Sequence, residues 1–335
     1  MTVRCEAPGS LLLAGEYAIL ESGGMGLSVA PDIRARCTAD LEPGECVVRY
    51  GGVVERFDSL DAPGCPPVVE AVAHAVREHL RCRDREPALV ETDGPRVDLD
   101  TSGFYEGSRK LGFGSSAAAA LCLTAALLRA AGATDWESAC LDLAVSAHRA
   151  AQNGRGSGYD VATSFCGGTA LFTGGAAPSV KPVTLPWLPD CYLYRGPKAV
   201  STGGSVSRYK GWKQRRGDES LAFLEQSNRT VSALAAARTW EEARSLLVQA
   251  RALSTELGCS ISVGADPTLY SDPRYERARR VLARFDDQDV FVKSLGAGNE
   301  TGIVMVRGVT PPIDRELVAA GLQALTIAPR GVTVL

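Results

Sequence analysis

Lys110-Leu-Gly-Phe-Gly-Ser-Ser-Ala-Ala118 runs straight into an Ala/Leu-rich stretch, and the fold turns on how these residues are read. Gly112 and Gly114 let the backbone approach an anion with no Cβ atom in the way. Ser115 and Ser116 add hydroxyls. A helix beginning there presents unpaired N–H groups and the positive end of its dipole. Residues Ala117 to Ala131 form the predicted helix, with Leu121, Leu123, Leu127 and Leu128 available for packing and no breaker before Gly132. No Gly-Lys-Ser/Thr closes the turn, so it is not a P-loop, and the third glycine of a dinucleotide fingerprint is missing. From these residues alone, Ser115 also reads as a plain helix cap.

The chain has 335 residues, which suggests about two domains. With 45% hydrophobic and 22% charged residues it can build a sizeable core. A net charge of −3 argues against a general nucleic-acid partner. No apolar run approaches the ~20 residues that span a bilayer, and the opening Met1-Thr-Val-Arg-Cys-Glu-Ala-Pro-Gly9 has no apolar signal core. A cytoplasmic protein with no membrane partner is expected, acting as a monomer or homodimer. The ten cysteines, Cys5 to Cys259, show no C-x-x-C pair and no Cys/His cluster. They read as reduced small hydrophobes and speak against structural zinc.

Along the chain, Leu11–Gly15 reads as a short buried strand and 33–58 as alternating strands. Val68, Val69, Val72, Ala75, Val76 and Leu80 recur at helical spacing. Residues 93–109 look polar and irregular. Thr134-Asp-Trp-Glu137 reads as a capping box for a helix to Ala151, and Thr239-Trp-Glu-Glu242 as a second box opening a helix over 240–257. The Gly174–Pro189 stretch is read as a linker. Beyond it, helices are expected at 218–237, 274–285 and 314–324, and strands at 289–294 and 302–306. Mixed elements without strict βαβ alternation suggest an α+β chain in two lobes. His148 is expected to pack or cap locally, and Trp136 and Trp240 to be structural.

Three separated segments, in one order, resemble the motifs of the GHMP small-molecule kinases. They are Ala7-Pro-Gly-Ser-Leu-Leu-Leu-Ala-Gly-Glu-Tyr17, the Lys110–Ala118 turn, and Leu295-Gly-Ala-Gly298 with Gly302-Ile-Val304. Ala14-Gly-Glu-Tyr17, Ala147-His148 with Ala151-Gln152, Gly156-Ser-Gly-Tyr-Asp-Val-Ala162 and Lys198-Ala-Val-Ser-Thr202 are similar to segments of the phosphomevalonate kinases within that group. The resemblance implies a GHMP kinase fold: an N-terminal ribosomal-protein-S5-like lobe over 1–175 and a C-terminal ferredoxin-like lobe over 176–335. It implies ATP and Mg²⁺, with transfer of the γ-phosphoryl group to (R)-5-phosphomevalonate, a small phosphorylated acid. Another acceptor such as mevalonate, or a non-catalytic nucleotide-binding relative, are the alternatives.

On the same resemblance, Gly112, Phe113, Gly114, Ser115, Ser116 and Ala117 hold the ATP phosphates, and Ser116 contacts the metal. Asp160 is the catalytic carboxylate, accepting or orienting the acceptor's proton, with Lys110 as a catalytic cation. Read without the family, Asp160 also suits a helix cap. Ser10, Glu16, Tyr17, Ser157, Gly158, Lys198, Ser201, Thr202, Gly296, Ala297 and Gly298 are the expected acceptor contacts. Arg155 and the Arg208–Arg216 cluster supply further positive charge, the cluster reading mainly as a solvated loop face. Three departures stand out. Ser10 replaces the lysine of Pro-Gly-Lys, the third glycine segment is shortened at Asn299-Glu300-Thr301, and Arg149 stands where mevalonate kinases carry a metal-binding glutamate.

Overall fold

The computed structural model describes residues 2–82, 94–154, 156–176, 178–196, 202–264, 267–296 and 301–335. The chain forms two compact units. The first comprises Met1–Leu11, Val29–Gly168 and Ile327–Leu335, and the second Leu12–Ser28 and Thr169–Thr326.

In the first unit a six-stranded sheet runs Thr333–Val334, Val3–Pro8, Arg34–Pro43, Pro95–Asp100, Cys46–Tyr50, Val53–Phe57. Its pairs are antiparallel except Cys46–Tyr50 beside Pro95–Asp100. Four helices accompany it: α1 (Pro67–Arg81), α2 (Ser115–Ala130), α3 (Trp136–Ala151) and α4 (Tyr159–Cys166). Helix α2 is the expected Ala/Leu helix. It is apolar all round, as a helix must be when it is buried between the strands Val3–Pro8 and Arg34–Pro43 and the neighbours α1 and α3.

Two expectations need correction here. The polar region 93–109 contains a sheet strand, Pro95–Asp100, because Val97 and Leu99 are buried while Arg96, Asp98 and Asp100 point the other way. Asp98 meets Arg49 on the neighbouring strand at 2.7 Å. At α3 the cap is Asp135 rather than Thr134, with no side-chain cap hydrogen bond, so that capping box does not form.

The second unit holds two four-stranded sheets. One is ordered Ser179–Val183, Thr169–Thr173, Met25–Val29, Leu11–Ala14, and the other Val290–Leu295, Thr301–Val306, Asp190–Arg195, Gln323–Ala324. Helices α5 (Thr202–Arg215), α6 (Gly217–Ala236), α7 (Trp240–Ser260), α8 (Glu276–Leu282) and α9 (Pro311–Ala319) complete it. The Thr239 capping box forms, with its hydroxyl accepting from Glu242 N–H at 3.3 Å. Buried Trp240 donates its indole N–H to Gln288 O at 2.7 Å, a structural role as expected.

The stretch read as a linker carries the edge strand Ser179–Val183, paired with Thr169–Thr173. Most of the Arg208–Arg216 cluster lies on α5, whose Val206, Tyr209 and Trp212 are buried at helical spacing, so it is not a loop face. The expected 274–285 helix divides into a 3₁₀ turn, Pro273–Tyr275, and α8. Helix α9 starts three residues before its expected position because Pro311 needs no N–H partner in a first turn.

Candidate functional site

The first unit brings the glycine turn, Ser10, Lys110, His148 and Asp160 into one constellation. Gly114 caps α2 with φ 74°, and a Cβ there would stand 2.2 Å from Ser10 Oγ. Ser10 donates its backbone N–H to Phe113 O at 3.0 Å. Its hydroxyl is buried, and none of the described residues gives it a hydrogen-bond partner. Phe113 and Ala117 are core residues that anchor the turn from below, Gly112 adopts φ 79°, and buried Ser115 opens the helix. The result is a concave backbone surface with free first-turn N–H groups and an unspent hydroxyl, which suits an anion with acceptor oxygens.

A cavity of about 360 Å³ adjoins this turn, lined at one end by Ser115, Ser116 and Lys110 and elsewhere by Thr101, Tyr105, Tyr50 and Glu55. Lys110 sits on a two-stranded hairpin, directly opposite Tyr105. The Tyr50 and Tyr105 rings lie 5.9 Å apart. A hydrogen bond to Glu55, aided by partial burial, raises the Tyr50 phenol above its usual range.

Gly158 caps α4 with φ 88°, and a Cβ there would fall 2.9 Å from Val145. Asp160 is therefore not the cap. It stands in the first turn, its Oδ1 accepting Val161 N–H at 3.0 Å, with 22% of its side chain exposed. Arg149 holds the turn that precedes it, donating to Gly156 O at 3.1 Å and to Ser157 O at 2.5 Å. Ser157 is buried, and its Oγ accepts Tyr159 N–H at 3.4 Å. His148 packs in the interior and bonds locally to Gln152, as expected; what sequence reading missed is its contact with Ser116. The ring is buried, and its Nε2 lies 3.0 Å from Ser116 Oγ and 2.9 Å from Gln152 Nε2. The i, i+4 spacing of His148 and Gln152 was the only local signal; Ser116 is 32 residues away.

In the second unit, Glu16 and Tyr17 meet Gly296 around a small cavity also lined by Ser254 and Ser294. Glu16 is buried against the Lys293 ammonium, and its Oε2 accepts from Ser254 Oγ at 3.2 Å. Tyr17 has φ 64°, an uncommon conformation for a residue with a Cβ, and its ring packs 5.4 Å from Tyr209. Burial pushes its phenol up to about 12. Thr202 begins α5. Arg155, Lys198, Ser201, Ala297, Gly298, Asn299 and Glu300 lie outside the described residues.

No group of three or more His, Cys, Asp or Glu that could hold a metal ion exists among the described residues. Ser116 offers one neutral oxygen at the cavity wall, and Arg149 is engaged with backbone carbonyls. That donor set fits a Mg²⁺ ion brought by polyphosphate and water, which keeps few protein ligands. It does not fit a resident, all-protein metal cage. No helix among the described residues is long and apolar enough to cross a membrane.

Residues 69–168 match the family model described as the GHMP kinases N terminal domain. Its fold is the α+β GHMP kinase fold. Among solved structures, the Lin0012 protein of Listeria innocua is similar over 100% of this chain and 99% of its own, with TM-score 0.79 and 20% identity. A Streptococcus pneumoniae phosphomevalonate kinase in complex with phosphomevalonate and AMPPNP is similar over 100% of both chains, with TM-score 0.73 and 16% identity. The Methanococcus jannaschii mevalonate kinase is similar over 98% of both, with TM-score 0.67 and 16% identity. No curated protein matches the sequence.

Proposed function

We propose that this protein is an ATP-dependent small-molecule kinase that transfers the γ-phosphoryl group to (R)-5-phosphomevalonate, giving the 5-diphosphate. The observation that carries the proposal is the constellation in the first unit. A helix start with a Cβ-free turn and an unpartnered hydroxyl adjoins a cavity large enough for a nucleoside, and a first-turn carboxylate is linked to the same turn through His148. Structural likeness to kinases of phosphorylated and unphosphorylated mevalonate supports the acceptor class.

Phosphoryl transfer has a loose transition state, so catalysis is chiefly positioning and charge neutralisation. In this proposal the turn from Gly112 through Ala117 binds the ATP phosphates. Lys110 carries positive charge to them, and Asp160 accepts or orients the proton of the attacking oxygen. Mg²⁺, when bound, neutralises phosphate charge, and Ser116 is its protein contact. Ser10, Glu16, Tyr17, Ser157, Gly158, Gly296 and the segments around Lys198 and Ala297 contact the acceptor. The functional halves are 1–175, with the phosphate turn and the aspartate, and 176–335.

The test is ATP consumption against phosphomevalonate, mevalonate and related acids, with Asp160→Asn alongside. Turnover on phosphomevalonate that falls at least ~100-fold in the variant is expected, the usual size of a lost general base. Turnover on mevalonate alone would remove the acceptor assignment. No transfer by the native protein, with ATP binding intact, would remove catalysis altogether.

A further inference from the structure

Two of the ten cysteines are in side-chain contact beside the first unit's cavity. Cys46 begins the strand Cys46–Tyr50, and alternation puts it on the same face as Val48 and Tyr50, both of which line the cavity. Its register partner Val97 stands two residues before Leu99, another lining residue. Cys65 reaches the same place from the turn that precedes α1, where its N–H bonds Ala62 O at 3.0 Å. Gly64 and Pro66, on either side of it, line the cavity. Both cysteines are buried free thiols, and their side chains hydrogen-bond one another.

That contact separates this pair from the other buried thiols. Cys5 and Cys37 are register partners on adjacent antiparallel strands. Burial pushes both up, as it does Cys122 and Cys140. A thiol of that kind stays protonated and inert. In the Cys46–Cys65 pair, whichever sulfur ionises first keeps the other's S–H as a donor, so one proton leaves more readily and the second less so. The hydrogen bond accordingly holds Cys65 below the usual thiol range and pushes Cys46 above it. A thiolate with a second thiol in contact is the arrangement that a two-electron oxidation converts to a disulfide. The cavity side of the turn is open, since a Cβ placed on Gly64 would meet nothing within 4 Å.

We propose that Cys46 and Cys65 are a peroxide-oxidisable dithiol, a modification site on the cavity wall, whose disulfide lowers the cavity's affinity for nucleotide. The nucleotide rests on the kinase proposal above; the disulfide does not. In the first step the thiolate sulfur attacks an oxygen of hydrogen peroxide. The S–O bond forms as the O–O bond breaks, and the departing hydroxide takes up the proton the thiol gave, leaving a sulfenic acid and one water. The second sulfur then loses its proton and attacks the sulfenic sulfur. The S–S bond forms, the S–O bond breaks, and the leaving hydroxide takes that proton as a second water. Together the thiols lose two electrons and the peroxide gains them. Exchanging the roles of the two sulfurs gives the same disulfide. The bond ties the turn carrying Gly64 and Pro66 to the strand carrying Val48 and Tyr50, so these two walls of the cavity can no longer part to admit a ligand.

The test uses the full chain carrying Cys82→Ser and Cys259→Ser, which removes the exposed thiols. After treatment with a small excess of hydrogen peroxide and alkylation, peptide mapping by mass spectrometry is expected to find Cys46 joined to Cys65 and the remaining cysteines alkylated. Dithiothreitol should return both to free thiols. No cross-link, or a disulfide elsewhere such as Cys5–Cys37, overturns the proposal. The second arm titrates AMPPNP by calorimetry. Coupling between linked sites is typically about 5–150-fold, so the cross-linked protein is expected to bind at least about fivefold more weakly, with recovery in dithiothreitol. Cys46→Ser, treated with peroxide in the same way, should keep the affinity it has when reduced. Unchanged affinity in the cross-linked protein overturns the effect on the cavity. Should Cys46→Ser not fold, recovery in dithiothreitol decides. Absence of AMPPNP binding by the reduced protein would remove the kinase proposal and the nucleotide effect with it, while the peptide map still decides the dithiol.

Discussion

Replacing Gly114 with alanine puts two separable demands on the turn that precedes α2. The first is backbone: φ is 74°, and an L-residue with a Cβ held in that region costs about 1–2 kcal/mol. The second is contact. The new Cβ would lie 2.2 Å from Ser10 Oγ but 3.4 Å from Ser10 Cβ and 3.3 Å from its N, so only the hydroxyl is in the way. Ser10 cannot retreat as a unit, because its N–H is bonded to Phe113 O at 3.0 Å. Its side chain has to rotate off its preferred position, at about 0.5–1.5 kcal/mol. The total is about 1.5–3.5 kcal/mol, a fall of roughly 3–14 °C in Tm for a domain of this size.

Nucleotide binding separates the turn's role from stability. If the first-turn N–H groups hold phosphates, Gly114→Ala weakens ATP by at least about tenfold, or 1.4 kcal/mol, and leaves adenosine nearly unaffected in the same calorimetric titration. Ser10→Ala supplies the control. It removes a buried hydroxyl without a partner, so alone it is neutral or stabilising. In the double variant the contact cost disappears and the backbone cost remains, giving a coupling of about 1 kcal/mol. Strict additivity of the two substitutions, or native ATP affinity in Gly114→Ala, would refute the reasoning.

Thr239→Ala removes the capping-box hydroxyl of α7 and is expected to cost about 1 kcal/mol, read as a lower thermal midpoint. Lys293→Met leaves the Glu16 carboxylate buried without its cation and is expected to cost about 3–5 kcal/mol. Adding Glu16→Gln to it should recover stability in denaturant titrations, whereas an additive loss would show that the pair is not the source. Hydrogen bonding to the Arg274 guanidinium holds the Asp272 carboxyl below its usual range. A carboxyl depressed in the folded state stabilises above its unfolded pKa of about 4 and loses that contribution as pH falls through the folded value. Asp272→Asn should therefore flatten the acid limb of a Tm-against-pH curve, and an unchanged limb would locate the acid sensitivity elsewhere.

What could be read from the sequence follows the range of each signal. Helix α2 is legible because a glycine turn, two serines and an uninterrupted apolar run lie within about five turns of each other. The Thr239 box is legible because cap and partner are three residues apart. The strand Pro95–Asp100 was hidden by its outward Arg96, Asp98 and Asp100, although Val97 and Leu99 carried the alternation. Helix α5 was obscured by its basic residues, while Val206, Tyr209 and Trp212 held its period. At the site, local motifs located Gly114, Ser116 and Asp160. The contacts that orient them are non-local: Ser116 to His148 across 32 residues, and Lys293 to Glu16 across 277. No periodicity spans such distances, and only the tertiary fold brings those pairs together.

Two of the three departures from the kinase pattern, Ser10 and Arg149, concern charge and are best taken together. The chain lacks the cation of the Pro-Gly-Lys motif at Ser10, and Arg149 places a cation where mevalonate kinases carry a glutamate. The two positions are not equivalent in what they can do. A lysine at residue 10 would be a mobile point charge on a long stem, able to follow a moving phosphoryl group. Arg149 is a planar fork already engaged by Gly156 O and Ser157 O, and it stiffens the turn that delivers Asp160. Fixed charge of this kind stabilises a transition state only if the reacting groups are brought to it, which is preorganisation rather than pursuit. Lys110, exposed on its hairpin, lines the first unit's cavity together with Ser115 and Ser116. In the proposed reaction Lys110 has to carry the role that a lysine at residue 10 would have had, and the buried Ser10 hydroxyl contributes only a short-range hydrogen bond to whatever occupies the turn.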